Sequence, residues 1–204
     1  MLIEADKIII GLVSAGCFLA LIPTAYRERI SYIRLITFVL LIVAVTNIGV
    51  GYIPITYGLQ SLNTWGNFVS IVSILSALFM MIRESKPVFA RFPFYLTFLP
   101  FISLIFFGLL DVSYAIKDLL IIIFKAGALL VSFMLFGIHH YLFSISRVYL
   151  ISLFMFLLHF IFSFTSLYDT YNSEIIGAIL TSVGMISFIY ALIKKPFYKQ
   201  IISE

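Results

Sequence analysis

The stretch Asp118–Gly137, DLLIIIFKAGALLVSFMLFG, decides the fold class of this chain. About 20 consecutive apolar residues are enough for a helix to cross a bilayer, and this stretch has that length. Lys125 interrupts it, among Ile, Phe, Leu and Val. A lysine at that depth costs a few kcal/mol unless it is paired or hydrated. The stretch therefore predicts a membrane-spanning helix, and Lys125 is the residue from which the functional prediction starts.

The composition of the whole chain points the same way. Its 204 residues are 63% hydrophobic and 11% charged, and the mean hydropathy is +1.17. A soluble domain of this length needs a more polar surface, so we predict an integral membrane protein. Backbone groups in lipid must bond internally, which favours an all-α fold with a single seven-helix domain over residues 1–204. The predicted spans are 7–25, 32–53, 65–83, 93–110, 117–138, 148–168 and 174–193.

The orientation follows from the distribution of cations between the spans. Lys7 and Lys117 lie on one side and Lys125 lies within a span, while the other ten of the thirteen Lys and Arg residues share the opposite side. By the positive-inside rule, the N-terminus is outside and the C-terminus is cytoplasmic, as in a multi-pass protein of the cell membrane. The ten cytoplasmic cations are Arg27, Arg29, Arg34, Arg83, Lys86, Arg91, Arg147, Lys194, Lys195 and Lys199.

Several function classes find no support in the sequence. The basic residues lie in the gaps between apolar runs, so topology explains them better than nucleic-acid binding does. Cys17 is the only cysteine, which excludes an intramolecular disulfide. Three histidines without an acid at helical spacing make a weak case for a metal, and no serine has a credible base beside it. We expect no cofactor and no nucleic-acid partner, and an enzyme is not the favoured interpretation.

The third and seventh predicted spans resemble each other. NTWGNFVSIVSILSALFMMIR, starting at residue 63, aligns without a gap on EIIGAILTSVGMISFIYALIK, starting at residue 174. This alignment favours a 3+1+3 parallel repeat, with units 7–91 and 117–199 joined by a linker helix at 93–110. Small residues coincide in the pairs Gly66 with Gly177, Ser70 with Thr181, and Ser73 with Gly184. The alternative is that these small residues serve helix packing alone.

The same alignment relates polar positions in the other spans. At the same offset Ser14 matches Lys125, and with a two-residue slip Thr46 matches His159. A 3+1+3 layout of this size resembles, in topology alone, the SWEET, PQ-loop and PnuC-type transporters. The chain has neither a Pro-Gln pair nor a paired-tryptophan motif, since Trp65 is the only tryptophan. The resemblance therefore implies a layout and carries over no functional residue.

Polar residues in the outer half of the spans suggest a ligand pocket around Lys125. His159 is predicted to lie at nearly the same depth as Lys125, which favours a ligand with a carboxylate, a phosphate or another electron-rich group. The predicted pocket residues are Lys125, His159, Asn47, Thr46, Ser14, Asn67 and Trp65. The alternatives are a structural ion pair of Lys125 with Asp118, Asp111 or Glu174, snorkelling of the lysine, and a hydrogen-bonded core histidine.

Three functional hypotheses remain open at this stage. The favoured one is a transporter-like protein that binds a small solute. It would move the solute by rocking two three-helix units against each other. The second is a ligand-binding membrane sensor or accessory subunit that acts through a partner membrane protein. The third is a purely structural subunit. The partners implied are the lipid bilayer, a small solute for which an anion is the expected class, and either a second copy of the chain or another membrane protein.

Overall fold

The computed structural model describes residues 4–28, 30–52, 57–85, 91, 93–109, 114–143, 147–164 and 171–194. Across these residues the secondary structure is entirely helical, which confirms the predicted fold class. A 3₁₀ helix, Phe94–Phe101, leads directly into the fourth α-helix. The α-helices are α1 (Ala5–Glu28), α2 (Ser31–Tyr52), α3 (Tyr57–Ser85), α4 (Ile102–Leu109), α5 (Tyr114–Phe143), α6 (Arg147–Phe164) and α7 (Tyr171–Lys194).

Five of the described helices are long and apolar enough to cross a membrane: α1, α2, α3, α5 and α7. Two shorter apolar stretches, Phe94–Leu109 and Arg147–Phe162, account for the fourth and sixth predicted spans. The helices extend further than the apolar runs. α3 begins at Tyr57 rather than at residue 65, and α5 continues to Phe143 rather than ending at 138. Polar residues are no obstacle to a helix beyond the bilayer core, where water solvates them, so apolar runs underestimate helix length.

The helices of the bundle form a closed ring. α1 packs against α2 and α7, α2 packs against α3, α3 against α5, α5 against α6, and α6 against α7. The fourth helix and the 3₁₀ helix that precedes it pack against α3. Contacts between α1 and α2 are close, because a Cβ atom at Gly11 would lie 2.6 Å from Ile48 and one at Gly51 would lie 2.6 Å from Ile8. Glycines let these backbones approach in lipid, where no hydrophobic force acts between helices.

Proline explains why the segment before α4 is a 3₁₀ helix. Pro93 precedes its first residue, and Pro100 lies inside it and has no N–H to donate to an α-helical bond. The backbone N–H of Leu96 donates to the Pro93 carbonyl at 3.1 Å, the shorter three-residue spacing. The Ser103 hydroxyl satisfies the Pro100 carbonyl at 2.6 Å. This helix therefore rises further per residue than an α-helix does.

The largest buried core lies at one end of the bundle. It includes Leu21, Tyr32, Met81, Tyr149 and Leu192, all with 0% of their surface exposed. These residues come from the last turns of α1, α3 and α7 and the first turns of α2 and α6, so we call this the packed end. A smaller aromatic core around Phe68 and Phe107 joins α3, α4 and α5.

Candidate functional site

The position of Lys125 along the bundle follows from an aromatic contact between α5 and α6. Phe136 of α5 stacks on Tyr149 of α6 with ring centroids 5.2 Å apart. α5 and α6 are antiparallel, because Lys125, eleven residues before Phe136, interacts electrostatically with His159, ten residues after Tyr149. Eleven residues make three helical turns, so Lys125 and the buried Phe136 share a face of α5. Lys125 therefore faces α6 at the level of His159.

His159 belongs to a regular polar contact between α6 and α7. The Ser152 hydroxyl donates a hydrogen bond to the Gly184 carbonyl at 2.8 Å. Two turns along the antiparallel pair, seven residues from each of these partners, His159 is hydrogen-bonded to the backbone of Gly177. Both contacts form at buried glycines, where the absence of a side chain leaves the helix backbone accessible to a partner. The imidazole of His159 is thus oriented by α7.

Lys7 reaches the same level from α1. Ser14 has 0% of its surface exposed, and its Oγ lies 3.5 Å from the Sδ atom of Met185 in α7. Seven residues earlier on each helix lie Lys7 and Ala178, and Ala178 directly follows Gly177 in the chain. A spacing of seven residues keeps Lys7 on the face of α1 that carries Ser14. The α1–α7 and α6–α7 contacts therefore place Lys7 and His159 at the same level of α7.

These three residues form what we call the basic cluster: Lys7, Lys125 and His159. Lys7 interacts electrostatically with both of the others, and Lys125 also interacts with His159. The cluster lies at the end of the bundle where α1, α5 and α7 begin, which we call the cluster end. Its members come from three different helices, α1, α5 and α6, with α7 between α1 and α6. The two ammonium groups can donate hydrogen bonds to a negatively charged ligand, while the N–H of a neutral His159 donates to the Gly177 backbone.

Acidic residues also lie at this end of the bundle. Asp6 lies next to Lys7, with its Oδ2 atom 3.5 Å from the Lys7 Nζ atom. Asp118 is exposed and interacts electrostatically with Lys125, but within the described part of the chain no carboxylate lies within 4 Å of the Lys125 ammonium. Glu174 is exposed at the start of α7. The third partner predicted for Lys125, Asp111, lies outside the described residues.

Three other predicted pocket residues are buried within α1 and α2. Each uses its side chain to bond a carbonyl one turn earlier in its own helix: Ser14 to Ile10 at 2.7 Å, Thr46 to Ile42 at 2.8 Å and Asn47 to Val43 at 2.9 Å. Thr46 also packs directly against Gly66, where a Cβ atom would collide with its methyl group. These contacts give the three side chains a packing role between α1, α2, α3 and α7.

The two remaining predicted residues lie on α3. The Asn67 amide donates to the Asn63 side-chain oxygen at 3.4 Å, one turn earlier. Trp65 packs edge-on against Phe107 of α4, with ring centroids 5.0 Å apart, and closes over Gly108. The structure thus brings Lys125 and His159 together and places Trp65 against α4.

Lys7 is the member of the basic cluster that sequence reasoning missed. Lys7 is the first residue of the first predicted span, 7–25, and entered the sequence-based prediction only as one of the two cations on the outer side. The signal that could have found it is its spacing of seven and fourteen residues from Ser14 and Leu21, both of which are fully buried. No group of three or more His, Cys, Asp or Glu side chains that could hold a metal occurs among the described residues. No protein family, curated protein or solved structure matches this chain in comparisons with known proteins.

Proposed function

We propose that the chain crosses the cell membrane seven times, with the cluster end outside. A cytoplasmic location of the packed end is favoured by the cations at its helix ends, which are Arg27, Arg34, Arg83, Arg147 and Lys194. The Phe94–Leu109 stretch is short, but eight 3₁₀ residues at about 2.0 Å and eight α-helical residues at about 1.5 Å make about 28 Å. A hydrocarbon core is about 30 Å thick. The eighteen residues of α6 cover about 27 Å on the same basis.

Equivalent contacts in the two halves support the 3+1+3 repeat. Gly66 of α3 packs against Thr46 of α2, and Gly177 of α7 contacts His159 of α6. The sequence alignment pairs Gly66 with Gly177, and Thr46 with His159 after its slip. Each half would therefore bring its second and third helices together at the same glycine position. In one half the partner is a threonine that serves packing, and in the other it is a histidine of the basic cluster.

The function that the geometry supports best is binding of a small anionic solute at the basic cluster, followed by its transport. The observation that carries this proposal is the convergence of Lys7, Lys125 and His159 from three helices at one level. Holding like charges near each other within the bundle costs free energy that apolar residues would avoid. An anion from solution would compensate these charges, and the outer half of the bundle would be its entry route.

The packed end supports transport rather than passive flow. Tyr32 and Tyr149 come from α2 and α6 and have 0% of their surface exposed. Phe136 stacks on Tyr149, and Phe188 packs edge-on against it at 5.9 Å. These rings fill the bundle beyond the basic cluster. A solute held at the cluster could pass only if the two halves moved apart at the packed end, as in alternating access.

Flux into liposomes tests this proposal. Purified protein would be reconstituted into liposomes and supplied with labelled phosphate, succinate and acetate, one at a time. We expect saturable uptake with the wild type and its loss in Lys125→Met. Lys117→Met is the matched control, because Lys117 lies two turns earlier on the same helix and contacts the Phe107 ring at 5.7 Å instead of the cluster. Equal uptake by wild type and Lys125→Met liposomes would contradict the proposal.

A sensor or accessory subunit is the second candidate, and the exposure of α5 favours it. Only 17% of the apolar window of α5 is buried within the chain, against 67% for α3. α5 thus leaves most of its surface for lipid or for a helix of a partner membrane protein, either a second copy or a different chain. This candidate predicts that an anion binds to the purified protein in a Lys125-dependent manner but is not moved across liposome membranes.

A further inference from the structure

Resting on the proposed function, we propose that the basic cluster selects a small dianion, such as phosphate or a short dicarboxylate, and that Lys7 supplies the second positive charge after leaving Asp6. The inference concerns the class of ligand and the role of a residue that no sequence pattern had marked. Lys125 would be the fixed charge of the site, and Lys7 the exchangeable one.

The geometry provides two separate cations at one level. Lys7 approaches from α1 and Lys125 from α5, and the contacts Ser14–Met185 and Phe136–Tyr149 fix those helices independently against α7 and α6. Like charges held near each other in a medium of low dielectric repel strongly. A monoanion would neutralise one ammonium and leave the other uncompensated. A dianion between them would neutralise both.

His159 lines the cluster without adding a fixed charge, because the one N–H of its neutral ring donates to the Gly177 backbone. Its contact with the Gly177 backbone orients the ring on the α7 side of the cluster. Phosphate carries several oxygens that can accept hydrogen bonds from different directions, and a short dicarboxylate can contact the two ammonium groups with its two ends. The shared chemistry of these ligands is two negative charges within a few ångströms.

Asp6 competes with the ligand for Lys7. The two residues are neighbours in the first turn of α1, and the 3.5 Å separation of Asp6 Oδ2 from Lys7 Nζ is long for a charge-assisted hydrogen bond. The Lys7 side chain is 31% exposed, so it retains room to reorient on its flexible stem. Ligand binding would then exchange the Asp6 carboxylate for the dianion, and removal of the Asp6 charge should tighten binding.

The experiment measures binding constants of phosphate, succinate and acetate by calorimetry in detergent at constant ionic strength. For the wild type we expect phosphate or succinate to bind at least about tenfold more tightly than acetate. In Lys7→Met this preference should shrink to about twofold, while Lys7→Arg keeps the charge and most of the preference. Whichever of phosphate and succinate binds more tightly identifies the charge spacing that the cluster fits.

Asp6→Asn provides the opposite test, because it should strengthen binding of the preferred dianion about threefold or more. Glu4→Gln is the matched control, since it removes the same charge one residue before α1 begins. In a Lys7→Met background, Asp6→Asn should have no further effect. Equal gains from Asp6→Asn with and without Lys7 would overturn the exchange of partners.

Other results would separate this inference from the function on which it rests. Acetate binding as tightly as phosphate and succinate, with Lys125→Met abolishing all three, would leave the anion site standing and refute its selection of dianions. A full preference for dianions in Lys7→Met would refute the role of Lys7 and leave the anion site standing. No binding of any of these anions to the wild type would contradict both the inference and the proposed function.

Discussion

The two ends of the bundle are built differently. The packed end is filled by large side chains such as Tyr32, Tyr149 and Met81, which have no exposed surface. The cluster end carries the basic cluster, whose three members are all partly exposed. Helices in lipid associate through close packing, so stability is concentrated where the packing is dense. The comparison teaches that the basic cluster lies away from the dense packing, at the end of the bundle that contributes less to its stability.

The largest loss of stability should come from truncating a large side chain at the packed end. Tyr149→Ala removes a ring that stacks on Phe136 and contacts Phe188, and it should destabilise the protein by about 3 kcal/mol. Phe133→Ala on α5 is the control, because 64% of Phe133 is exposed and its truncation should change stability by less than about 0.5 kcal/mol. Thermal unfolding of both variants in detergent gives the measurement. Similar losses in the two variants would remove the contrast between the ends.

A pair of glycine substitutions compares the packing of α3 and α5 within the cluster end. Gly66→Leu places a side chain against Thr46 and should cost about 2 kcal/mol through overpacking of α2 against α3. No atom outside the local backbone lies within 4 Å of a Cβ built at Gly127, so Gly127→Leu on α5 should be neutral or slightly stabilising. The unfolding midpoints of the two variants in the same detergent check this. If Gly127→Leu were the more damaging change, α5 would be more tightly enclosed than the structure shows.

The smallest predicted effect concerns the polar contact between α6 and α7. Ser152→Ala removes the hydrogen bond to the Gly184 carbonyl and should cost about 0.6 kcal/mol, the average for such bonds between membrane helices. Ser182 has a buried hydroxyl with no hydrogen-bond partner in the described residues, so Ser182→Ala should be neutral or stabilising. Chemical unfolding in mixed micelles resolves differences of this size. A larger loss in Ser182→Ala would show that its hydroxyl has a partner after all.

Much of the fold could be predicted from the sequence because lipid imposes simple constraints. Each α-helix among the described residues coincides with a predicted apolar run, and the helical fold class is confirmed. The helix ends could not be read from hydropathy, as the start of α3 at Tyr57 shows, because interfacial turns are polar and still helical. The 3₁₀ geometry before α4 depends on Pro100 in its context, and hydropathy carries no information about it.

The candidate site was only partly accessible from the sequence. Lys125 and His159 could be predicted as neighbours because counting residues from the helix ends gives their depths. Lys7 could not, since which way its side chain faces depends on the contact of Ser14 with α7. Tryptophan is a residue type that often contacts ligands, which is why Trp65 was a candidate. The orientation of its side chain is set by its contact with α4, which no local sequence pattern determines.

The measurement that tests the account most directly is the unfolding midpoint of the wild type and of Lys125→Met, each with and without phosphate and succinate. We predict that Lys125→Met is at least as stable as the wild type without ligand, because it removes a charge from a loosely packed site. We also predict that one of these anions raises only the wild-type midpoint, with about 2.7 kcal/mol gained at one hundred times the Kd. A less stable Lys125→Met, together with no response of the wild type, would show that Lys125 is a structural residue and contradict the account.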